Sequence, residues 1–269
     1  MNRRLIIIMF FIFVNFFQIA IFAQIESNYH NKVANASGIS RIYPNVIAIN
    51  PAQLQIRNLN AGFYISPSKL GISELNYGTA YAILPIDTNF VSAFDITGSG
   101  GELFSEIIPS FGLCYFDDKF SFAIKSKYNQ ISIRDFNSES IFYTDIGTTV
   151  KILENYYAGF ALTNIFGASF EGAEYNSHQT AVFGLGTHLS ENLTADINYV
   201  MYLNYFSTIS FSMSYKFYDF LSVGISYQGN PSITQLDLLF VISDFDLPIS
   251  ISYFDLFGFS FSMGFVFEL

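Results

Sequence analysis

The chain has 269 residues, and its composition is unusual for a soluble domain: 51% of the residues are apolar, 19% are aromatic and only 13% are charged. Soluble domains carry roughly 25% charged residues, so we expect part of this surface to face something other than water. The formal net charge of −10 argues against nucleic acid as a partner, because phosphate binding needs a basic surface.

The N-terminus has the layout of an export signal. Two arginines at positions 3 and 4 precede an apolar run over residues 5–22, and Ala23 is followed by the polar stretch QIESNYHNK. This order predicts a secretory signal peptide over residues 1–23, cleaved after Ala23. The apolar run is long for a signal peptide, and an uncleaved anchor is the alternative. The sequence has no later run of eighteen apolar residues, so a mature chain that meets a membrane would cross it with strands.

Residues 24–57 do not alternate between apolar and polar positions, and they contain a local signal for a helix start in VIAINPAQLQI. Asn50 is a good N-cap, Pro51 suits the first helical position, and Gln53 lies where a capping-box partner would lie. We therefore expect Asn50 to open one or two helical turns over PAQLQI, directly before the first strand. A linker turn without a further role is the alternative.

From residue 58 onward, apolar and polar residues alternate in segments of about ten residues. In FGFSFSMGFVF, over 257–267, aromatic side chains and a methionine fall on one face, and glycine, serine and one valine fall on the other. Tilted strands of this length cross a bilayer with their apolar face toward lipid, whereas a soluble β-sandwich is the alternative. The sequence therefore predicts an all-β fold, a transmembrane antiparallel β-barrel over residues 58–269. Its fourteen predicted strands are 58–66, 72–84, 89–97, 108–116, 119–133, 139–153, 156–166, 180–189, 193–202, 206–217, 220–228, 234–243, 247–254 and 257–267.

The connections between the predicted strands alternate in length. The even-numbered connections are short, namely PIDT, DD, EN, SEN, YD and DFD, whereas the odd-numbered ones include GSGGELFSEI from residue 98 and GASFEGAEYNSHQ from residue 167. Barrels of the outer membrane have short periplasmic turns and longer outer loops. The alternation therefore predicts a barrel of the outer membrane, in contact with its lipid and with both termini on the periplasmic side.

The sequence contains no pattern for a catalytic, metal or cofactor site. The three histidines lie far apart without partners at ligand spacing, and GSGG lacks the lysine of a phosphate loop. Asp117-Asp118 and Asp244-x-Asp246 lie in predicted tight turns, where aspartate is favoured. The single cysteine, Cys114, lies in an apolar run and is interpreted as a packing residue. We expect no cofactor and no enzymatic activity, with a chance Ser–His pair on the barrel rim as the alternative.

Three short motifs resemble the FadL-like outer-membrane superfamily. AINPAQL resembles the motif of the family's hatch, here Asn50, Pro51, Ala52 and Gln53. YAGFALTNIFGASF resembles a mid-barrel motif, here Gly159, Ala161 and Asn164. The end of the last strand resembles the signal read by the barrel assembly machinery, here Gly264, Phe267 and Leu269. The resemblance implies a fourteen-stranded barrel plugged by an N-terminal hatch over residues 24–57.

Within this superfamily the sequence is most similar to the PorV/PorQ branch, which is associated with type IX secretion. The mid-barrel motif is of the PorV/PorQ kind, and the predicted outer loops are short for a fatty-acid transporter. The resemblance therefore implies a secretion-associated or scaffold barrel, whose partners would be type IX secretion components. The alternative that it implies is a FadL-like transporter or channel for hydrophobic small molecules, with a hydrophobic ligand as partner.

Overall fold

The computed structural model describes residues 33–40, 49–56, 58–67, 75–136, 138–169, 179–203, 206–243, 245–255 and 257–268. Within them, fourteen strands form one closed antiparallel barrel, in which consecutive strands pair and β1 also pairs with β14. The predicted fold class is thereby confirmed. The strands are β1 (Asn60–Ser66), β2 (Asn76–Pro85), β3 (Phe90–Gly100), β4 (Phe104–Phe116), β5 (Phe120–Ile133), β6 (Glu139–Leu153), β7 (Tyr156–Thr163), β8 (Thr180–His188), β9 (Leu193–Tyr202), β10 (Phe206–Tyr218), β11 (Leu221–Gln228), β12 (Ile233–Ile242), β13 (Phe245–Phe254) and β14 (Gly258–Glu268).

The strands turn their apolar side chains outward and their small or polar side chains into the lumen. On β10, for example, Phe211 is 45% exposed while the neighbouring Ser210 is fully buried. A soluble protein would bury its aromatic face, because a continuous apolar surface of this size is not stable in water. The exposed belt of Phe, Leu, Ile and Tyr therefore fits a barrel that spans a membrane.

Aromatic pairs on the outer face join neighbouring strands in register. The rings of Phe94 and Phe111 lie 4.8 Å apart across β3 and β4. Across the seam between β1 and β14, the rings of Phe63 and Phe265 lie 5.3 Å apart. Cross-strand aromatic pairs of this kind contribute roughly 0.2–1 kcal/mol each, so they support the closure that removes free strand edges.

The two ends of the barrel differ in the length of their connections. One end, which we call the turn end, carries residues 86–89, 117–119, 154–155, 189–192, 219–220 and 243–244. The other, the loop end, carries residues 67–75, 101–103, 134–138, 164–179, 203–205, 229–232 and 255–257. β1 begins and β14 ends at the turn end. The chain that precedes β1 therefore joins the barrel at that end.

The turn over 117–119 is held by Asp117, as the sequence predicted for this residue. Its Oδ1 accepts hydrogen bonds from the backbone N–H groups of Lys119 and Phe120, each at 2.8 Å. Both donors favour the ionised carboxylate and lower the pKa of Asp117. The residue therefore serves turn geometry.

The expected long connection from residue 98 is wrong. β3 continues to Gly100 and β4 already begins at Phe104, which leaves only residues 101–103 between them. Gly98 pairs with Ile107, and Gly100 pairs with Ser105. Glycine has little preference for strands, so the sequence predicts a loop here. In the barrel, hydrogen bonds with β4 satisfy the backbone groups of these glycines, and they become part of β3.

The predicted signal peptide, residues 1–23, lies outside the described residues. The described part of the chain contains no helix with the length and apolar character that a transmembrane helix requires.

Candidate functional site

A segment that precedes β1 lies inside the barrel. We call it the lumen segment, and its described residues are 33–40 and 49–56. Val33 packs against Ile233 and Phe254, which lie at the loop end of β12 and β13. Leu54 is buried among residues near the turn end, including Phe116. The segment therefore extends along the lumen from one end of the barrel toward the other.

Asn50 connects three parts of the molecule. Its Oδ1 accepts the N–H of Ala52 at 3.0 Å, which caps a single 3₁₀ turn over Pro51–Gln53. Its Nδ2 donates to the carbonyl of Ala36 at 2.6 Å and to the carbonyl of Thr148 on β6 at 3.0 Å. The predicted N-cap is thus confirmed, and the same side chain also ties the lumen segment to itself and to the wall.

The prediction of one or two helical turns over PAQLQI is wrong for the second turn, since only Pro51–Gln53 are helical. After Gln53 the chain leaves the helical path, and Gln55 turns toward the wall. Its Nε2 donates to Ser121 Oγ at 2.9 Å and to Thr149 Oγ1 at 2.8 Å. Contacts with the barrel therefore replace the second turn, because a short helix gains little from continuing alone.

Gln53 does not complete a capping box with Asn50. Its Nε2 donates instead to the carbonyl of Asn35 at 3.1 Å. Gly38 lies beside it with φ +77°, and a side chain at that position would overlap Gln53. Gln53 and Gly38 together hold the two described parts of the lumen segment against each other.

Side chains of the wall satisfy the backbone of residues 34–36. The N–H of Ala34 donates to Gln228 Oε1 at 3.3 Å, and the carbonyl of Ala34 accepts from Ser210 Oγ. The N–H of Ala36 donates to Asn198 Oδ1 at 2.8 Å. Buried backbone groups need such partners. The wall therefore offers hydrogen bonds at fixed positions to an extended chain.

A buried carboxylate on β9 holds the turn over residues 35–40. Asp196 Oδ2 accepts the N–H of Ser40 at 2.6 Å and the Nδ2 of Asn35 at 3.2 Å. Asn35 Oδ1 accepts the N–H of Gly38 at 2.7 Å. This turn is thus bound to the wall through a charge-assisted contact, which is stronger than a neutral one.

Glycines of the wall leave room for the lumen segment. A Cβ on Gly147 would overlap Asn50 Oδ1, and a Cβ on Gly159 would overlap the carbonyl of Ala36. The lumen faces of Gly184 and Gly186 are likewise occupied by the segment or by the wall side chains that bind it. The sequence motif contains Gly159, whereas the other three were missed. For Gly184 and Gly186 the signal was glycine at alternate positions on the polar face of one strand, whereas Gly147 is the single glycine of β6 and had no such signal.

An apolar cluster surrounds the lumen segment near the turn end. Ala52 and Leu54 pack against wall residues that are themselves buried, namely Tyr81, Ile83, Val91, Ala93, Cys114, Phe116, Ala123 and Val266. The carbonyl of Ala52 also accepts from Ser121 Oγ at 2.9 Å. Cys114 is a buried packing residue here, as the sequence indicated. This cluster packs the lumen segment against β2 to β5 and β14 on the turn-end side of Asn50.

Two ion pairs lie in the lumen wall on the loop-end side of Asn50. Lys125 Nζ lies 2.7 Å from Asp95 Oδ2, and Lys127 Nζ lies 2.6 Å from Asp145 Oδ2. All four side chains are at most 10% exposed. We call these four residues the charged row. In the described ranges, no three His, Cys, Asp or Glu side chains converge as metal ligands would.

No protein-family model and no curated protein sequence matches this chain. Solved structures with the same architecture do. The Pseudomonas putida toluene transporter TodX is 11% identical, with a TM-score of 0.64 over 89% of this chain and 99% of that one. A Pseudomonas aeruginosa FadL homologue is 12% identical, with a TM-score of 0.57 over 88% and 97%. The chain has the fold of FadL-type barrels.

A TodX variant described as a monoaromatic hydrocarbon channel has the same fold. It is 10% identical, with a TM-score of 0.63 over 86% of this chain and 95% of that one. At such identity the match concerns the fold, while residue roles must come from this chain's own contacts.

The mid-barrel motif ends a strand and begins the connection between β7 and β8. Ala161 is fully buried toward the lumen. Asn164 has φ +48°, which ends β7 at Thr163 and not at residue 166 as expected. The N–H of Asn164 donates to Asp145 Oδ1, and its side chain both donates to and accepts from the backbone of Ala168, each at 2.9 Å.

Asn164→Ala should destabilise the barrel by about 1–3 kcal/mol, because alanine tolerates positive φ poorly and loses both bonds to Ala168. The measurement is the free energy of unfolding in urea with the protein in lipid vesicles. Asn164→Gly is the matched control, since it loses the same bonds but accepts the backbone conformation. Equal stability of the alanine variant and the wild type would contradict this role.

Two residues of the C-terminal motif, Gly264 and Phe267, lie on β14. Gly264 faces the lumen, where a Cβ would lie 2.6 Å from the carbonyl oxygen of Phe63. Phe267 is paired with Ala61 and its ring lies 6.3 Å from that of Phe245. Leu269 lies outside the described residues. The assembly signal formed by these residues stays a prediction.

The position of the lumen segment can be tested by a disulfide. A Cβ on Gly186 would lie 3.1 Å from Ser37 Cβ, just below the roughly 3.5–4.5 Å that disulfides span. We expect Ser37→Cys with Gly186→Cys, in a Cys114→Ala background, to lose both thiols on oxidation, read as protection from alkylation by mass spectrometry. Gly78→Cys in place of Gly186→Cys is the control. Two freely alkylated thiols in the first variant would show that the segment lies elsewhere.

Proposed function

We propose that the chain is an outer-membrane channel of the FadL-like superfamily for hydrophobic small molecules, closed by its own N-terminal segment. The observation that carries this proposal is the lumen segment, which is bound by wall side chains and accommodated by wall glycines such as Gly147 and Gly159. The fold shared with a toluene transporter and a FadL homologue supports it. TodX is described as a transporter and its variant as a channel, which agrees with a role other than catalysis.

The proposed location is the outer membrane of a Gram-negative-type cell. The export signal predicted over residues 1–23 would bring the chain across the inner membrane. The aromatic outer face would then contact outer-membrane lipid, with the turn end on the periplasmic side and the loop end outside. The barrel assembly machinery would recognise the C-terminal strand through Gly264, Phe267 and Leu269.

The seat of the lumen segment suits a closure that can be released. Many of its contacts with the wall are hydrogen bonds, such as those of Asn50 and Asn198, and each contributes only about 0.5–1.5 kcal/mol net. Its apolar contacts are divided among three separate clusters, around Leu54, around Ala34 and Ala36, and around Val33. A ligand or a partner that competes for a few of these bonds would therefore shift the segment without unfolding the barrel.

Uptake of labelled toluene tests the proposed function. Cells that lack other transporters of this fold should take up toluene faster when they carry the full chain than when they carry an empty vector. The control is the Ser37→Cys, Gly186→Cys protein, in which a disulfide locks the lumen segment. Its uptake of toluene should be slower, and a reductant that opens the disulfide should restore it. Uptake equal to the empty vector, for a protein shown to be present in the outer membrane, would overturn the channel.

A secretion-associated or scaffold role, as in the PorV/PorQ branch with type IX partners, is the second candidate. The observation in its favour is the shortness of most loop-end connections, such as 101–103, 203–205 and 255–257, which offer little surface for capturing a ligand. Affinity purification from native outer membranes distinguishes the two roles. Stable recovery of secretion proteins together with no toluene uptake would favour this candidate.

A further inference from the structure

The charged row is internally neutral and already paired. Lys125 binds Asp95 from β3, and Lys127 binds Asp145 from β6, both at hydrogen-bond distance. The carboxylates also accept from neutral donors: Asp95 from Ser110 Oγ, and Asp145 from the N–H of Asn164. Each lysine therefore has a carboxylate partner held in place by a second contact.

The rest of the described mid-lumen wall adds negative charge. Glu106 on β4 accepts from Asn129 Nδ2 at 2.7 Å, and Asp237 on β12 accepts from Gln235 Nε2 and from Ser250. Asp196 on β9 faces the lumen segment. The charged row contains two lysines and two carboxylates, and Glu106, Asp237 and Asp196 thus add three further carboxylates to the wall.

The charged row lies on the loop-end side of Asn50. Asp145 is the next lumen-facing residue of β6 on the loop-end side of Gly147, against which Asn50 lies. A molecule that enters at the loop end along β5 and β6 would reach Lys127 and Asp145 before it reaches Asn50. The polar end of such a molecule would contact the wall at the charged row.

From this arrangement we infer that the lumen selects uncharged amphiphiles and hydrocarbons and rejects carboxylates of the same length. An anionic head group would have to displace Asp95 or Asp145 from a buried ion pair, and removing one partner of such a pair is strongly unfavourable. It would also lie near the remaining wall carboxylates, and like charges at close range are repelled. An alcohol head group can accept from or donate to the wall hydroxyls without breaking an ion pair. This inference rests on the proposed channel function.

Two probes of equal chain length test the selection. Equilibrium dialysis of the purified full chain in non-ionic detergent, against labelled decanol and labelled decanoate at pH 8, should show decanoate bound at least about tenfold more weakly than decanol. Asp145→Asn frees Lys127 while its amide oxygen still accepts from Asn164. This variant should bind decanoate about tenfold more tightly than the wild type and decanol equally well.

The control is the double variant Lys127→Met with Asp145→Asn, which removes both charges and should not gain decanoate binding. Heat-modifiable migration on gels checks that every variant is folded. Wild-type binding of decanoate as tight as that of decanol would overturn the selection, as would a folded Asp145→Asn protein without any gain for decanoate. If no variant binds either probe, the proposed channel function itself fails.

Discussion

Replacing Gly159 by leucine should turn the closed barrel into a conducting one. A side chain at this position would overlap the carbonyl of Ala36, so the lumen segment would have to leave its seat on β7. The ladder of β7 with β6 and β8 does not depend on that side chain, so all fourteen strands should stay paired while the lumen opens. A fourteen-strand barrel is wide enough for an aqueous path once its filling moves. Single-channel recordings in planar bilayers should show conductance rising at least about tenfold, since a displaced segment opens the whole lumen.

Gly78→Leu on the outer face of β2 is the control for a glycine-to-leucine change in a strand, because its Cβ would meet no atom closer than 3.8 Å. Both variants should retain heat-modifiable migration on gels, which shows that the strands still form a folded barrel. The same opening should make cells carrying Gly159→Leu sensitive to antibiotics too large to cross an intact outer membrane. Conductance of Gly159→Leu equal to that of the wild type would mean that the lumen segment does not close the barrel.

Replacing Asn50 by alanine should weaken the seat of the lumen segment by about 2–4 kcal/mol, the sum of a lost N-cap and two lost hydrogen bonds. The lost partners are the N–H of Ala52 and the carbonyls of Ala36 and Thr148. Hydrogen exchange measured by mass spectrometry should show faster exchange over residues 49–56 than in the wild type. The strands should exchange as before, because the ladder does not involve this side chain.

Asn50→Asp separates the cap from the other two bonds. Aspartate also accepts from the N–H of Ala52, but its carboxylate cannot donate to the carbonyls of Ala36 and Thr148 and would be repelled by them. We therefore expect exchange in Asn50→Asp to be at least as fast as in Asn50→Ala. Wild-type exchange in Asn50→Asp would show that Asn50 is only a helix cap.

The barrel could be predicted from the sequence because its signals are local. In strand β14, phenylalanines and one methionine alternate with glycines, serines and one valine, and this period of two depends only on neighbours along the chain. Strand ends were harder. β3 runs through Gly98 and Gly100, whose strand conformation is imposed by pairing with β4, whereas β7 stops at Asn164 because of one left-handed residue.

The seat of the lumen segment could be predicted only in part. Asn50 was recognised as an N-cap, since that role is local, but its bonds to Ala36 and Thr148 join residues that are 14 and 98 positions away. Gln53 had the right spacing for a capping box, and a tertiary partner, Asn35, took its amide instead. The pairing of Lys125 with Asp95 likewise depends on which strands become neighbours.

The direction of the lumen segment limits the order in which the protein can be assembled. The segment lies near the loop end at Val33, whereas β1 begins at the turn end. If the barrel closes first, any sequence joined ahead of residue 33 has to be threaded along the lumen before the segment reaches its seat. A flexible tag could follow this route, but a folded domain fused there could not. Such a fusion would trap the barrel with its segment outside.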